Sequence, residues 1–346
     1  MNTTTTLQEQ WAELKKSNPM IRIRNATEQL GVSEAELLAT QVGINVTRLR
    51  PEFASILTQV ESLGKVMALT RNEACVHERK GVYLHADFSN PHAGLFVGED
   101  IDLRIFLSAW AKAYAVTEIT EHGLRRSLKF FGKDGEAIHK IYLTPDSQEA
   151  AFDALVQEFT HEDQTPGETV SSLPAPAAER PDSDIDVAGF QKAWIDLKDT
   201  HDFFGMLRTY GVTRTQALRL APNDYFAKSI AKEGIPTLLE EAARLKLPIM
   251  VFVGNRGNIQ IHTGKVRKKM WHGSWYNVMD PDFNLHLDMS KVAQTWIVRK
   301  PTEDGIVTAV EVFNEQGDII VQFFGKRKPG IPELEEWRGI VAGLGN

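Results

Sequence analysis

The sequence predicts an α+β protein built twice on one plan, and three observations carry that expectation. Four blocks recur in unchanged order at an offset of 182 to 183 residues. In each half, helix-period apolar patterns precede strand-period ones. The strands are joined by short glycine-containing turns, which antiparallel hairpins accept and parallel crossovers do not. Chance similarity would scatter in offset, so the constancy reads as an internal duplication.

The elements follow in order. LQEQWAELKK near residue 7 matches FQKAWIDLKD near residue 190, aligning Trp11 with Trp194. Leu7, Trp11 and Leu14 share a helical stripe, as do the apolar residues of Phe190 to Leu197. Ser33 before SEAELLATQ, with Glu36 three residues on, reads as a capping box, and its counterpart is Thr213 before TRTQALRLA. LGKVMALTRNEACVHERKG matches LKLPIMVFVGNRGNIQIHTG, aligning Asn72 with Asn255 and Gly81 with Gly264. DIDLRIFLSAWAKAYAV matches DFNLHLDMSKVAQTWIV, aligning Leu103 with Leu285 and Arg104 with His286. LKFFGKDGEAIHKIYL matches VEVFNEQGDIIVQFFG, aligning the turn glycines Gly135 and Gly317. VMALTRN, ACVHERKGVYL, RSLKFF and AIHKIYL read as strands, as do IMVFVGN, NIQIHTGKV, TAVEVF and IIVQFFG. Each half closes on a helix, EAAFDALVQEF or ELEEWRGIVAGL.

Residues 161–187 are rich in Pro, Ser, Thr, Glu and Asp and nearly empty of large apolar side chains. They read as a flexible linker between an N-terminal half, 1–160, and a C-terminal half, 188–346. Hydrophobic residues at 42% and charged residues at 25% place both halves among folded globular chains. A net charge of −7 weighs against nucleic acid as the main partner. The one cysteine, Cys75, excludes an intrachain disulfide and a CxxCH haem attachment. The first residues lack the apolar core of a signal peptide, and no run of 18 apolar residues occurs, so the expected compartment is the cytoplasm.

Motifs for nucleotide hydrolysis, zinc peptidase and serine hydrolase chemistry are absent. His85 with His92, or His272 with His286, would ligate a metal only if the fold assembled them. DTHDFFGMLRTYGVTR, residues 199–214, is more informative. It predicts His201 within a helix, beside a wall of Phe203, Phe204, Met206 and Leu207, with Arg208 and Arg214 following. An imidazole suits iron, an apolar wall suits a porphyrin and guanidinium groups suit its propionates. A histidine at a helix N-terminus over ordinary core aromatics fits the same residues. In DLRIFLSAW, a strand would set Leu103, Ile105 and Leu107 on one face and Arg104 with Phe106 on the other. Such an arginine would take an anionic or polar ligand, or an ion pair. KVRKKMWHG, residues 265–273, reads as a charged hairpin or as a basic patch for nucleic acid.

At DTHDFFGMLR, FVGNRGNIQI, RKPTEDG and DLRIFL, and also at RNEACVHE and NPHAGLF, the sequence resembles the HemS/ChuS/PhuS family of cytoplasmic haem-binding and haem-degrading proteins. The likeness covers the chain except the linker. It implies two stacked antiparallel sheets flanked by helices, with haem b held noncovalently in a cleft between the halves. It implies His201 as the proximal iron ligand and Arg104 as the distal residue, acting through water, and as the catalytic one if the protein is an enzyme. It implies Phe106 and Phe252 as pocket wall, and Arg214, Lys300, Gln322 and Arg327 as the polar rim around the propionates. Phe324 stands where the family commonly has tyrosine, which removes one hydrogen bond to a propionate. His77 matches a histidine that serves a second haem site in some members. A ligating His201 needs an acceptor for its second ring N–H, and Asp202 or a backbone carbonyl would serve.

Two functions follow from the resemblance. One is a carrier that takes haem from an importer and passes it to a haem oxygenase. The other is an enzyme that opens the ring itself with an external electron donor.

Overall fold

The structure, a computed structural model, describes residues 6–19, 21–120, 123–175, 178–327 and 330–345. By contacts it divides into two units. Unit 1 comprises residues 1–71, 78–174 and 255–259, and unit 2 comprises 72–77, 175–254 and 260–346. The unit boundary at 174/175 thus falls inside the predicted linker, and two short segments belong to the unit opposite to their neighbours in sequence.

Unit 1 begins with three helices, α1 (Leu7–Ser17), α2 (Ile23–Leu30) and α3 (Glu34–Ala39), followed by β1 (Val46–Leu49) and α4 (Phe53–Gln59). Then come β2 (Gly64–Arg71), β3 (Cys75–Gly81), β4 (Gly94–Val97), β5 (Asp102–Ile105), β6 (Lys112–Thr120), β7 (Gly123–Phe131), β8 (Ala137–Ser147) and α5 (Glu149–Phe159). Unit 2 has α6 (Val187–Ile195), α7 (Asp202–Tyr210), α8 (Arg214–Arg219), β9 (Ala227–Ile230) and α9 (Gly234–Arg244). Its remaining elements are β10 (Ile249–Gly254), β11 (Asn258–Gly264), β12 (Lys269–His272), β13 (Trp275–Met279), β14 (Phe283–Asp288), β15 (Gln294–Thr302), β16 (Gly305–Phe313), β17 (Ile319–Gly325) and α10 (Glu335–Leu344). The strands form two antiparallel sheets flanked by helices, the α+β class that the sequence predicts.

The duplication is visible in strand order and register. In unit 1 the order β1-β6-β7-β8-β2 corresponds to β9-β15-β16-β17-β10 in unit 2. β7 pairs with β8 from Ser127↔Tyr142 to a bulge at Phe130/Phe131, and β16 pairs with β17 from Ala309↔Phe324 to a bulge at Val312/Phe313. Each register position in one unit lies 182 residues from its counterpart. The turns at Gly135 and Gly317 take φ of 79° and 82°, a left-handed conformation in which a side chain is strained. The expected capping box of Ser33 with Glu36 is present, and Thr213 with Gln216 forms a second one at the counterpart helix.

In unit 2 the strands are covered on both faces. Val298 and Phe313 pack with Phe190, Trp194, Phe203, Met206 and Leu207 of α6 and α7. Val310, Val312, Val321 and Phe323 pack with Leu238, Leu239, Trp337 and Val341 of α9 and α10. Burial on both faces explains why Val307–Phe313 reads as a nearly continuous apolar run. Glu311 is its one charged residue.

Several of the linker residues are anchored. In unit 1, Asp163 pairs with Arg48 at 3.1 Å, Gln164 bonds the Arg48 backbone, and Glu168 accepts from Lys112 at 2.7 Å. In unit 2, Glu179 accepts from Thr213 at 2.7 Å.

The strand expected over DLRIFLSAW is shorter than predicted. β5 ends at Ile105, and Leu107–Ala109 form a 3-10 turn, so Arg104 and Phe106 do not share a strand face. Phe106 N–H donates to Gly257 O at 2.9 Å, and the chain then turns as Ala109 N–H donates to Phe106 O at 3.0 Å. Residues 265–273 form a hairpin arm. Lys269–His272 pairs with Trp275–Met279, and Trp271 packs edge-on against Tyr276 at 4.9 Å. Among the described residues, no helix is long and apolar enough to cross a membrane.

Candidate functional site

His201 sits at the start of α7 rather than inside it, as the residue that caps Asp202–Tyr210. Asp199 fixes it twice: its Oδ1 accepts the His201 backbone N–H at 2.9 Å and contacts ring Nδ1 at 2.6 Å. The backbone N–H of His201, then its ring and Arg327, hold the Asp199 carboxyl below the usual carboxylate range against partial burial. The acceptor for the second ring nitrogen is therefore Asp199, not Asp202 or a backbone carbonyl. The turn before α7 places Asp199 under the ring, while Asp202 lies in the helix's first turn. The His201 side chain is 90% exposed, so the imidazole stands in solvent at the helix N-terminus above the core residues Phe203, Met206 and Leu207.

The predicted wall separates into two faces. Phe203, Met206 and Leu207 are buried, and Phe203 stands edge-on to Trp194 at 4.7 Å. Phe204 is exposed and carries Arg208 over its ring at 5.2 Å. His201, Phe204 and Arg208 recur at i, i+3 and i+7 and so share one outward helix face. Gly205 lies on that side, and a Cβ built there meets nothing within 4 Å. A mid-helix glycine costs about 0.5–1 kcal/mol relative to alanine, and no packing among the described residues requires this one. The vacancy suits close approach of a flat ligand to the helix.

Phe203 links this helix to a buried polar cluster. The Arg214 guanidinium and the Lys300 ammonium each lie 4.6 Å from the Phe203 ring centre. Both also bind Glu311. Arg214 Nε donates to Oε2 at 3.0 Å and its Nη2 to Oε1, while Lys300 Nζ and Gln322 Nε2 each reach Oε1 at 3.0 Å. Burial alone would raise the Glu311 carboxyl, but Arg214 and Lys300 overcome it and hold the group at about 2. Burial, and secondarily Arg214, pulls Lys300 down to about 8, partly opposed by Glu311. Gln322 is paired across the strands with Phe252, whose ring lies 4.9 Å from that of Phe324, and both phenylalanines are half-buried. His201, Arg214, Phe252, Lys300, Gln322 and Arg327 thus all belong to unit 2.

Arg104 and Phe106 belong to unit 1. Arg104 is tied along its own strand, its Nη1 donating to Asp102 and to Leu103 O at 3.1 Å. His77 is fully buried, edge-on to Phe283 at 5.0 Å, with His262 stacked on the same ring at 3.7 Å. That placement sets His77 against an aromatic ring of unit 2. The two histidine pairs do not form a metal centre: among the described residues no group of three His, Cys, Asp or Glu gathers. Sequence reasoning missed Asp199 and Glu311. The signal for Glu311 was present, a lone acid between Val310 and Val312 in an apolar strand.

Comparison with known proteins places this geometry in a family. Residues 31–159 and 211–344 match the haemin-degrading HemS/ChuX domain. The chain is 38% identical to the hemin transport protein HemS of Yersinia enterocolitica, over 98% of this chain and 97% of that one. The haem-bound structure of PhuS, a heme-binding protein from Pseudomonas aeruginosa, superposes with a TM-score of 0.95 at 45% identity, covering 98% of each chain. The heme-degrading enzyme ChuS of Escherichia coli O157:H7 superposes with a TM-score of 0.90 at 34% identity, again covering 98% of each. The chain belongs to the HemS family of haem-binding and haem-transport proteins, in which one fold unit occurs twice.

Proposed function

We propose that this protein is a cytoplasmic haem carrier: it takes haem b, noncovalently, from an importer and passes it to a haem oxygenase. The observation that carries the reading is His201, an outward imidazole whose Nδ1 is held by Asp199 so that Nε2 faces the ligand. A carboxylate behind a histidine fixes its tautomer and raises its basicity as a ligand. The remaining features of unit 2 fit the same cargo. The gap at Gly205 accommodates the macrocycle edge, and Phe252 with Phe324 offers an apolar surface. Arg214, Lys300, Gln322 and Arg327 supply donors for the propionates. Phe324 donates no hydrogen bond, so the polar contact on that side falls to these four among the named residues.

Arg104 and Phe106 join the proposal on family resemblance, as the residue facing the iron from the distal side and as pocket wall. Haem, when bound, supplies the redox-active iron, and the protein's share is to ligate it through one imidazole and to screen its carboxylates.

The second reading, ring opening by this protein itself, is favoured by the likeness to ChuS, one structure of which is described as an E. coli heme oxygenase. One experiment separates them. The haem-loaded protein is incubated with ascorbate and catalase, then with a haem oxygenase. A carrier keeps its Soret band under ascorbate with catalase and loses it to the oxygenase. A ring-opened tetrapyrrole formed with catalase present would overturn the carrier reading.

Gly205→Ala tests the fit at α7. The substitution should stabilise the fold by about 0.5–1 kcal/mol through helix propensity. It should at the same time weaken haem binding severalfold, since the new methyl enters the ligand's space. Thermal melts and a haemin titration measure both, and equal affinity would remove Gly205 from the site.

A further inference from the structure

The duplication allows each polar residue of unit 2 to be compared with its twin in unit 1. Arg214 is the first helical residue after the capping Thr213, and its twin is Glu34 after Ser33. By the common strand register, Lys300 corresponds to Glu118, Glu311 to Lys129 and Gln322 to Lys140. Three of the four positions thus exchange the sign of their charge, and the fourth exchanges an ammonium for a neutral amide. In unit 1 the set closes on itself: Lys140 binds Glu34, Lys129 lies 3.8 Å from Glu118, and Arg125 also pairs with Glu118 at 2.8 Å. At these four positions two acids match two bases, and Arg125, outside the four, adds a third base beside Glu118. In unit 2, two bases meet one acid and an amide, so one positive charge is left over.

The leftover charge is organised by a single group. Glu311 is wholly buried, and its Oε1 accepts from Arg214, Lys300 and Gln322 together while Oε2 holds Arg214 from a second side. Without it, two cations would face each other beside one phenyl ring in a low-dielectric interior, so that Arg214 would turn away and Lys300 would lose its proton. We propose that Glu311 is a positioning residue of the anion site: its carboxylate fixes Arg214, Lys300 and Gln322 as one donor set and leaves it one positive charge, matched to a single carboxylate of the ligand. The second carboxylate of a dicarboxylate porphyrin then falls to other cations. This inference rests on the haem-binding reading of unit 2 and concerns only how the propionates are received.

The sign of the pH effect follows from the neighbours of Lys300, which are Arg214 of α8 and Glu311 of β16. Lys300, at about 8, is charged at neutral pH and loses its proton as pH rises through that value. Affinity for a carboxylate ligand therefore declines above about pH 8. Glu311 is the neighbour that favours the charged ammonium, so its removal shifts the decline to lower pH.

The test is a pair of titrations of the full chain, with haemin and with haemin dimethyl ester, across pH 6 to 9.5. Glu311→Gln should weaken haemin binding about tenfold at pH 7, move the decline to lower pH and leave the ester's affinity unchanged. An equal loss for both ligands would show a merely structural role and overturn the proposal, as would unchanged or tighter haemin binding. Should Glu311→Gln fail to fold, Glu311→Asp decides. It keeps the charge but retracts the oxygens, and should weaken haemin severalfold while sparing the ester and keeping the wild-type pH midpoint. Wild-type affinity in Glu311→Asp would overturn the assignment. Failure of the wild type to bind haemin saturably would instead sink the haem reading itself, which the same titration shows separately.

Discussion

His201→Ala is expected to lose haemin affinity by about a hundredfold, equivalent to roughly 2.8 kcal/mol, and to replace a histidine-ligated Soret band with a shifted, weaker one. The fold should not suffer. The imidazole is 90% exposed and packs in no core, and exposed substitutions of this kind usually stay within about 0.5 kcal/mol of wild type. The prediction therefore separates ligation from folding, which a buried histidine would not allow. Asp199→Ala should give the same change in diluted form, about tenfold, because the ring nitrogen loses its acceptor while the ligand itself remains. Absorbance titration with a parallel thermal melt measures both variants. An unaltered Soret band in His201→Ala would remove this residue from the iron.

The second large effect belongs to Trp194. Its indole is fully buried, stands edge-on to Phe203 at 4.7 Å and Phe190 at 5.8 Å, and donates Nε1–H to Arg299 O at 2.9 Å. Trp194→Ala removes a large side chain from the joint between α6, α7 and the strands and orphans a carbonyl. The expected cost is about 3–5 kcal/mol, or a fall in Tm of roughly 10 °C for the transition of unit 2. Haem affinity should drop with it even below the melting range, because Phe203 leans on Trp194 and in turn supports Arg214 and Lys300. The twin substitution, Trp11→Ala, should cost much less. Trp11 keeps a small cluster with Ala26 and Leu37 and a cation–π contact with Lys15, and borders no ligand residue. Calorimetry of the two variants side by side checks the asymmetry, and equal losses would contradict it.

Much of this protein was legible along the chain. The repeat offset, the capping boxes, the turn glycines and the antiparallel class are carried by interactions that span few residues, or by a pattern that occurs twice. The helix α9 and the short strands β1, β4 and β9 escaped. They are brief, and tertiary pairing rather than local periodicity makes them strands or helices. His201 stood out because histidine beside phenylalanines is conspicuous chemistry.

The sequence by itself therefore determined that there are two copies of one α+β unit, and which segment carries the candidate ligand. Only the tertiary structure decided that His201 faces solvent on Asp199 while Phe203 turns inward, that Arg104 spends its guanidinium on Asp102, and that Glu311 binds the two cations. The reason is distance along the chain. Arg214 and Glu311 are 97 residues apart, and whether a strand's lone acid is exposed or clasped depends on which helix the fold lays over it.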